Sequence, residues 1–425
     1  MRLRFQGITL ACALLLASAL TARAAEIVLD DVRLPSDVQV SSSLGSTEAT
    51  AFLGAWAGSW GGSLHHVLVV ESVDASGLAT LVYATGRERE LGLRPVTRRR
   101  TGTIRDGVLT IAGRADVTYR PAPDGTLEAL YVHDAVRAHA RMRRVSLDTL
   151  RSGVVPAWDE PERIVLPGPP EDGAPSRLVT LLFRPDGPGP FPLLVVHHGS
   201  TGFGTDPAQF GRAWWHFGLA DFLRRRGYLV AFPQRRGRGG SSGLYDEGFS
   251  PDRSQGYACE ADLALAGAER SLADAEAATL ALRRRPDVAP GRVLVAGQSR
   301  GGILAIAYAG RHPDAVAGVL NFAGGWLGAG CDTAEAVTGR LAREGGAFPR
   351  PTLWLYGEGD AFYPFRHSLA NFEAFRSAGG RGTIEELPVP GEQRGHGVLD
   401  HRDLWRAPVE AYLDALGAPP GPDGR

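Results

Sequence analysis

The sequence predicts a small antiparallel β domain, a barrel or a sandwich, followed by an α/β domain with a mostly parallel sheet and helices on both faces. Three observations predict it. Short strand-like runs with turn signals crowd residues from about 50 to 147. Beyond a proline-rich junction, apolar strand-like runs alternate with helix-periodic segments, the pattern of a parallel sheet with crossover helices. Within that second part, Val293-Leu-Val-Ala296 runs into Gly297-Gln298-Ser299-Arg300-Gly301 and then at once into an apolar helical segment.

The β part comes first along the chain. Val67–Val70 and Ala79–Tyr83 are strand-like. Thr101–Ile104 and Val108–Ile111 flank the turn Arg105-Asp106-Gly107, and Val117–Tyr119 and Leu127–Val132 flank Pro121-Ala-Pro-Asp-Gly125. Ala138–Val145 closes the set. Six or so short strands at this spacing suit a small closed or two-sheet core. Trp56 and Trp60 offer two readings, a carbohydrate-stacking platform or tryptophans closing the core. His65 and His66 are adjacent on a strand and point to opposite faces, so they make a poor metal pair, and no metal is expected.

The second part begins around Pro156–Pro170. Strands are expected at Arg177–Phe183, Phe191–His197, Tyr228–Phe232, Arg292–Ala296, Val316–Phe322, Thr352–Tyr356 and Gly382–Leu387. They read as continuous apolar runs, as strands buried on both faces should. Helices are expected over 208–226, 260–285, 300–311, 364–379 and 402–416, with a disordered tail from Gly417 to Arg425. The domains are therefore placed at 25–150 and 151–416.

Residues 1–24 read as a secretory leader: Arg2 and Arg4 precede the apolar run Ile8–Leu20, and Ala22-Arg23-Ala24 supplies small residues for cleavage. At 13 residues that run is short for a bilayer span. A periplasmic or secreted protein with no membrane insertion after cleavage is expected. The mature chain keeps two cysteines, Cys259 and Cys331, which form a disulfide or remain two buried thiols. Composition is ordinary for a globular protein, 44% hydrophobic and 22% charged, and the formal charge of −1 argues against a nucleic-acid partner. All 46 basic residues are arginine. With no lysine, Schiff-base chemistry, a Ser–Lys pair and a lysine-dependent phosphate loop are excluded, and no cofactor is implied.

A strand, a Gly-x-Ser-x-Gly turn and a helix present a serine as a nucleophile, with the helix N-terminus directed at the reacting oxygen. The plainer reading makes Ser299 a helix N-cap. A second match, Gly239-Gly240-Ser241-Ser242-Gly243, lies in a polar glycine-rich run with no helical segment after it and reads as a loop. If Ser299 is the nucleophile, its partners should lie at the carboxyl ends of later strands. Asp360, in Gly357-Glu358-Gly359-Asp360 after the strand Thr352–Tyr356, is the expected acid, with Glu358 the rival. His396, flanked by Gly395 and Gly397, is the expected base, whereas His367 and His401 read as packing or surface histidines. Oxyanion donors are expected from the Arg300 N–H and from the loop His198-Gly199-Ser200-Thr201-Gly202, with Ser200 preferred to Thr201 and His198 holding the loop. Trp214, Trp215 and Phe217 are candidates for the acyl pocket, with core packing as the alternative.

In His198-Gly199-Ser200, Arg235–Gly243, Gly297–Gly302, Gly357–Asp360 and Gly395-His396-Gly397, the chain resembles the α/β-hydrolase superfamily over about residues 160–416. Within it, the resemblance is to dienelactone-hydrolase-like and prolyl-oligopeptidase-like esterases and peptidases. This implies a serine hydrolase acting on a small-molecule ester through Ser299, His396 and Asp360. A prolyl-oligopeptidase-like peptidase, or an exported glycan-binding protein with a degenerate hydrolase domain, are the alternatives. Two features depart from the pattern. Dienelactone hydrolases carry cysteine where Ser299 stands, and residues 25–150 are too few for the propeller of prolyl oligopeptidases.

Overall fold

The structure, a computed structural model, describes residues 26–29, 32–41, 50–88, 92–153, 159–291, 293–391 and 394–417. The expected leader at 1–24 lies outside them, as does the tail after Gly417. A ribbon of β1 (Glu26–Leu29) and β2 (Val32–Pro35) precedes an antiparallel barrel. The barrel comprises β3 (Gly54–Trp60), β4 (Leu64–Val73), β5 (Leu78–Thr85), β6 (Val96–Arg105), β7 (Val108–Ile111), β8 (Asp116–Pro121), β9 (Leu127–His133) and β10 (Val136–Val145). It closes in the order β10-β3-β4-β5-β6-β7-β8-β9, which leaves no unpaired edge.

Strand alternation explains its two cores. Trp56, Leu68, Val70 and Leu81 fill the interior, while Ala55, Ala57, Val67, Val69 and Val82 face outward against Val32, Leu34 and Leu150. The run Val67–Val70 is apolar without a break because both of its faces are covered. β3 was not among the strands expected, since Gly54-Ala-Trp-Ala-Gly-Ser-Trp60 has the composition of a loop. Its small residues have a steric cause: a Cβ on Gly58 would lie 2.1 Å from the Arg141 carbonyl oxygen on β10.

After the short helix α1 (Leu147–Arg151), an eight-stranded sheet begins. It holds β11 (Glu162–Glu171), β12 (Ala174–Phe183), β13 (Leu193–His197), β14 (Leu229–Pro233), β15 (Val293–Gln298), β16 (Val316–Phe322), β17 (Pro351–Gly357) and β18 (Arg381–Leu387), in the order β11-β12-β14-β13-β15-β16-β17-β18. β11 and β12 are antiparallel and the rest parallel. β11 occupies what the sequence suggested was a proline-rich junction. As an edge strand it tolerates Pro167, Pro169 and Pro170, because it is hydrogen-bonded on one side alone.

The helices are α2 (Phe217–Arg225), α3 (Ala261–Arg283), α4 (Arg300–Arg311), α5 (Ala334–Gly345), α6 (Phe365–Ser377) and α7 (Arg402–Ala415). α2 and α7 meet through Phe222 and Trp405, whose ring centroids are 5.4 Å apart, and α3 to α6 pack in a row on the other side. α2 is shorter than the helix expected over 208–226, because the His216 side chain caps it by accepting the Leu219 N–H at 3.0 Å. α5 was not anticipated.

The two domains are joined by charge as well as by apolar contact. Arg141 of β10 makes a two-pronged ion pair with Asp221 of α2, at 2.7 and 2.6 Å, and both side chains are buried. Arg224 and Arg402 also reach Asp221, and Arg225 reaches Glu128 of β9. The Trp215 indole N–H donates to the Gly61 carbonyl of the barrel at 2.7 Å.

Candidate active site

β15 delivers Ser299 at the carboxyl edge of the sheet, on a backbone turn with φ 57° and ψ −127°. A non-glycine residue there is strained by about 1–3 kcal/mol. The turn is held by the Ser299 N–H to the Phe322 carbonyl at 3.0 Å and by the Gly302 N–H to the Ser299 carbonyl at 2.9 Å. Only glycine fits on either side. A Cβ on Gly297 would lie 2.1 Å from the Gly301 carbonyl oxygen, and one on Gly301 would lie 2.0 Å from that of His197. Ser299 stands at the N-cap of α4, yet its side chain makes no capping hydrogen bond. The N-cap reading therefore does not account for the hydroxyl.

His396 comes from the turn Gly395–Asp400 after β18, and its Nδ1 lies 3.0 Å from Oδ2 of Asp360. Asp360 follows β17, is buried, and accepts at Oδ1 the N–H groups of Phe362 and Tyr363 at 2.8 and 2.9 Å. A carboxylate so held accepts a hydrogen bond from Nδ1–H and leaves Nε2 unprotonated for chemistry. Ser299 and His396 line one cleft, and Gln298 bridges their loops by donating to the His396 carbonyl at 3.4 Å. Glu358 points into solvent, and His367 and His401 are buried in packing positions.

The loop after β13 is locked by residues whose role the sequence did not disclose. The Arg235 N–H donates to Nε2 of His198 at 3.1 Å, and its guanidinium donates to the His198 carbonyl at 2.8 Å and the Gly199 carbonyl at 3.2 Å. Arg238 donates to the same Gly199 oxygen at 2.7 Å. Burial, with Arg235 alongside, pushes the His198 imidazole well below its usual range, so it stays neutral and structural. Ser200 lines the cleft. Thr201 does not: it is buried, and its N–H is spent on the Tyr257 hydroxyl at 3.1 Å. Of the two candidates in this loop, Ser200 alone lines the cleft together with Ser299. The second Gly-x-Ser-x-Gly is a loop, in which the Ser241 hydroxyl donates to the Gln234 carbonyl and accepts the Val179 N–H.

The cleft measures about 600 Å³ and has aromatic walls: Phe203, Tyr257, Trp326, Phe362 and Tyr363. Phe203 and Phe362 approach at its mouth, with ring centroids 5.7 Å apart. Arg300 is immobilised at its floor, stacked on Tyr257 and Trp326 and donating to the carbonyls of Trp326 and Glu247. Cys259 and Cys331 are joined as a disulfide, and both line the cleft.

Trp214, Trp215 and Phe217 do not line this cleft, which corrects their assignment to the acyl pocket. The Trp214 ring packs on Phe232, Trp215 bonds the barrel, and Phe217 packs on Phe183. Trp56, 2% exposed, is enclosed in the barrel core and is not a stacking platform, whereas Trp60, 5% exposed, reaches the end of the barrel. No cluster of metal-ligating side chains occurs among the described residues, and none of their helices is long and apolar enough to cross a membrane.

Residues 172–354 match the X-Pro dipeptidyl-peptidase (S15) family, a span that includes Ser299 and stops before Asp360 and His396. The chain is similar to a protein labelled a dienelactone hydrolase from Klebsiella pneumoniae subsp. pneumoniae, at 20% identity, 60% of this chain, 99% of that one and a TM-score of 0.40. It is similar to an esterase from Pyrococcus furiosus at 14% identity, 60% and 90% coverage and a TM-score of 0.43. A prolyl endopeptidase aligns at 13% identity over 85% of this chain and 52% of that one, with a TM-score of 0.39. No curated protein matches the chain. The S15 match and the sheet order together make the second domain an α/β-hydrolase fold of the serine-hydrolase kind.

Proposed function

We propose that the protein is an exported serine esterase in which Ser299 is the nucleophile, His396 the base and Asp360 the residue that orients it. His396 Nε2 takes the Ser299 proton as the hydroxyl attacks the ester carbonyl. The oxyanion is received by the N–H groups of Arg300 and Ser200, each contributing about 3 kcal/mol. His396 then protonates the leaving alcohol, and water activated by the same imidazole releases the acid from the acyl-enzyme. The supporting observation is one cleft that holds an uncapped, strained serine and a histidine hydrogen-bonded to a buried carboxylate.

The S15 match favours a second reading, a peptidase that removes dipeptides from a free N-terminus. Such an enzyme must hold the substrate's ammonium group, which calls for a carboxylate in the cleft. Among the described residues lining it there is none, and Arg300 has the opposite sign. An uncharged or aromatic acyl group suits these walls better. Rates on short and aromatic p-nitrophenyl esters, set against X-Pro p-nitroanilides, decide between the two. Ser299→Ala should abolish both turnover and fluorophosphonate labelling, and retained turnover would refute the nucleophile. Export rests on the leader-like residues 1–24 and accords with the Cys259–Cys331 pair. N-terminal sequencing of protein recovered outside the cytoplasm tests it.

A further inference from the structure

A second cavity, larger than the catalytic cleft, lies where one end of the barrel meets the hydrolase domain. It measures about 1000 Å³, at the top of the range for small-molecule sites. Its barrel side is formed by the ends of strands: Trp60 of β3, Leu64 of β4, Tyr83 of β5, Tyr131 of β9 and Val136 of β10. The opposite wall is Arg212, Ala213 and Trp215 to Gly218, leading into α2, with Asp400. Mouths of eight-stranded barrels are where a fold of this size has room for one ligand.

The floor is a plate of aromatic rings. Trp60 stacks on His66 at 5.0 Å, His66 lies 4.6 Å from Tyr83, and Trp60 meets Tyr131 edge-on at 6.1 Å. The rim is apolar where a solvated surface would be polar: Leu93, Val96 and Val136 are 43%, 36% and 57% exposed. Two exposed arginines, Arg94 and Arg212, and the half-buried Glu88 stand on the same rim, and neither arginine has an ion-pair partner among the described residues. In the wall, Nε2 of His139 is shut off from solvent and has no partner among the described residues, which leaves a buried polar atom for a ligand hydroxyl or a water. Leaving such an atom unmet costs about 1–3 kcal/mol.

We infer that this cavity is a binding site, distinct from the catalytic cleft, for an amphiphilic carboxylate such as a fatty or aromatic acid. The apolar body lies on the Trp60, Tyr83 and Tyr131 rings, and the carboxylate meets Arg94 and Arg212. Aromatic faces and an apolar rim account for the body, and Arg94 and Arg212 account for the head group. The inference does not depend on the esterase reading.

The test is fluorescence titration of the full mature chain with parinaric acid, in parallel with the corresponding alcohol. Saturable binding with one equivalent is expected, weakened at least tenfold for the alcohol. The double variant Arg94→Glu and Arg212→Glu and the single variant Val136→Asp, all at exposed positions, should each weaken binding at least tenfold. Phe203→Ala, at the mouth of the catalytic cleft, should leave it unchanged. Any one of three results overturns the inference: no saturable binding, binding indifferent to the rim variants, or binding lost in Phe203→Ala.

Discussion

Nδ1 of His396 lies 3.0 Å from Oδ2 of Asp360, and the other oxygen of that carboxylate is held by two backbone N–H groups, so the imidazole has one fixed tautomer and one fixed orientation. An amide at 360 can offer its N–H to Nδ1, which would stabilise the wrong tautomer with little change of shape. Asp360→Asn is expected to lower kcat by roughly 10⁴-fold while fluorophosphonate labelling slows and the melting temperature barely moves. An unchanged kcat would remove Asp360 from the mechanism.

Arg235 ties the loop after β13 to the sheet through three hydrogen bonds, and its Nε is paired with Glu247 at 2.6 Å. Arg235→Lys retains the charge and loses the fork. Displacing Ser200 should lower kcat by roughly 10–100-fold with little change in KM. Steady-state kinetics on one ester substrate measures both, and a pure KM effect would assign Arg235 to binding instead.

Cys259 and Cys331 close a loop spanning 72 positions and both line the cleft that holds Ser299. Replacing both by alanine should cost about 4 kcal/mol of stability in the chain-entropy account. It should also raise KM, because the two segments that the disulfide joins both line the cleft. Thermal melts and ester kinetics on the double variant test the two effects separately.

Asp221 is the hub of the domain interface. Burial raises its carboxyl pKa, but Arg141, Arg224 and Arg402 outweigh burial and hold it far below the usual range. A depressed carboxylate stabilises the fold above its unfolded value, near 4, and that contribution drains as the pH falls below it. Asp221→Asn strands three buried or nearly buried arginines and should cost roughly 3–5 kcal/mol at neutral pH, with much of the acid sensitivity below pH 4 removed as well. Urea unfolding at pH 7 and pH 3 checks both statements.

His66 gives the barrel a second pH dependence, of the same sign and at higher pH. Enclosed in the core, with Nδ1 donating to Ala84 and Nε2 accepting from Tyr119, it is pushed down to about 4 by burial. The unfolded chain takes up this proton near pH 6.5 and the folded chain does so only near 4, so stability is complete above the upper value and declines between the two, by roughly 3 kcal/mol. His66→Gln should flatten the urea midpoint between pH 6.5 and 4. A wild-type midpoint constant over that window would contradict the neutral buried imidazole.

What was legible in the residues is what short-range chemistry dictates. An apolar strand, a turn that admits only glycine on either side of a serine, and an apolar helix identify Ser299. Asp360 and His396 follow from the order in which parallel strands present their carboxyl ends. β3 escaped notice because its glycines answer to a partner strand more than 80 residues away, and β11 because prolines on an edge strand look like a linker. The misplacement of Trp214, Trp215 and Phe217 has a related cause: aromatic residues near a catalytic loop look alike whether they face the cleft or the neighbouring domain.

The sequence by itself determined the fold class and the tight strand-to-helix turn that carries Ser299, because backbone sterics and hydrophobic period act over a few residues. Tertiary structure alone decided the walls of the cleft, the Arg235 lock on the loop after β13, the Asp221 hub and the cavity at the barrel mouth. Each of these is a meeting of side chains from distant segments, and no local pattern records which partner a buried arginine or an aromatic ring will find.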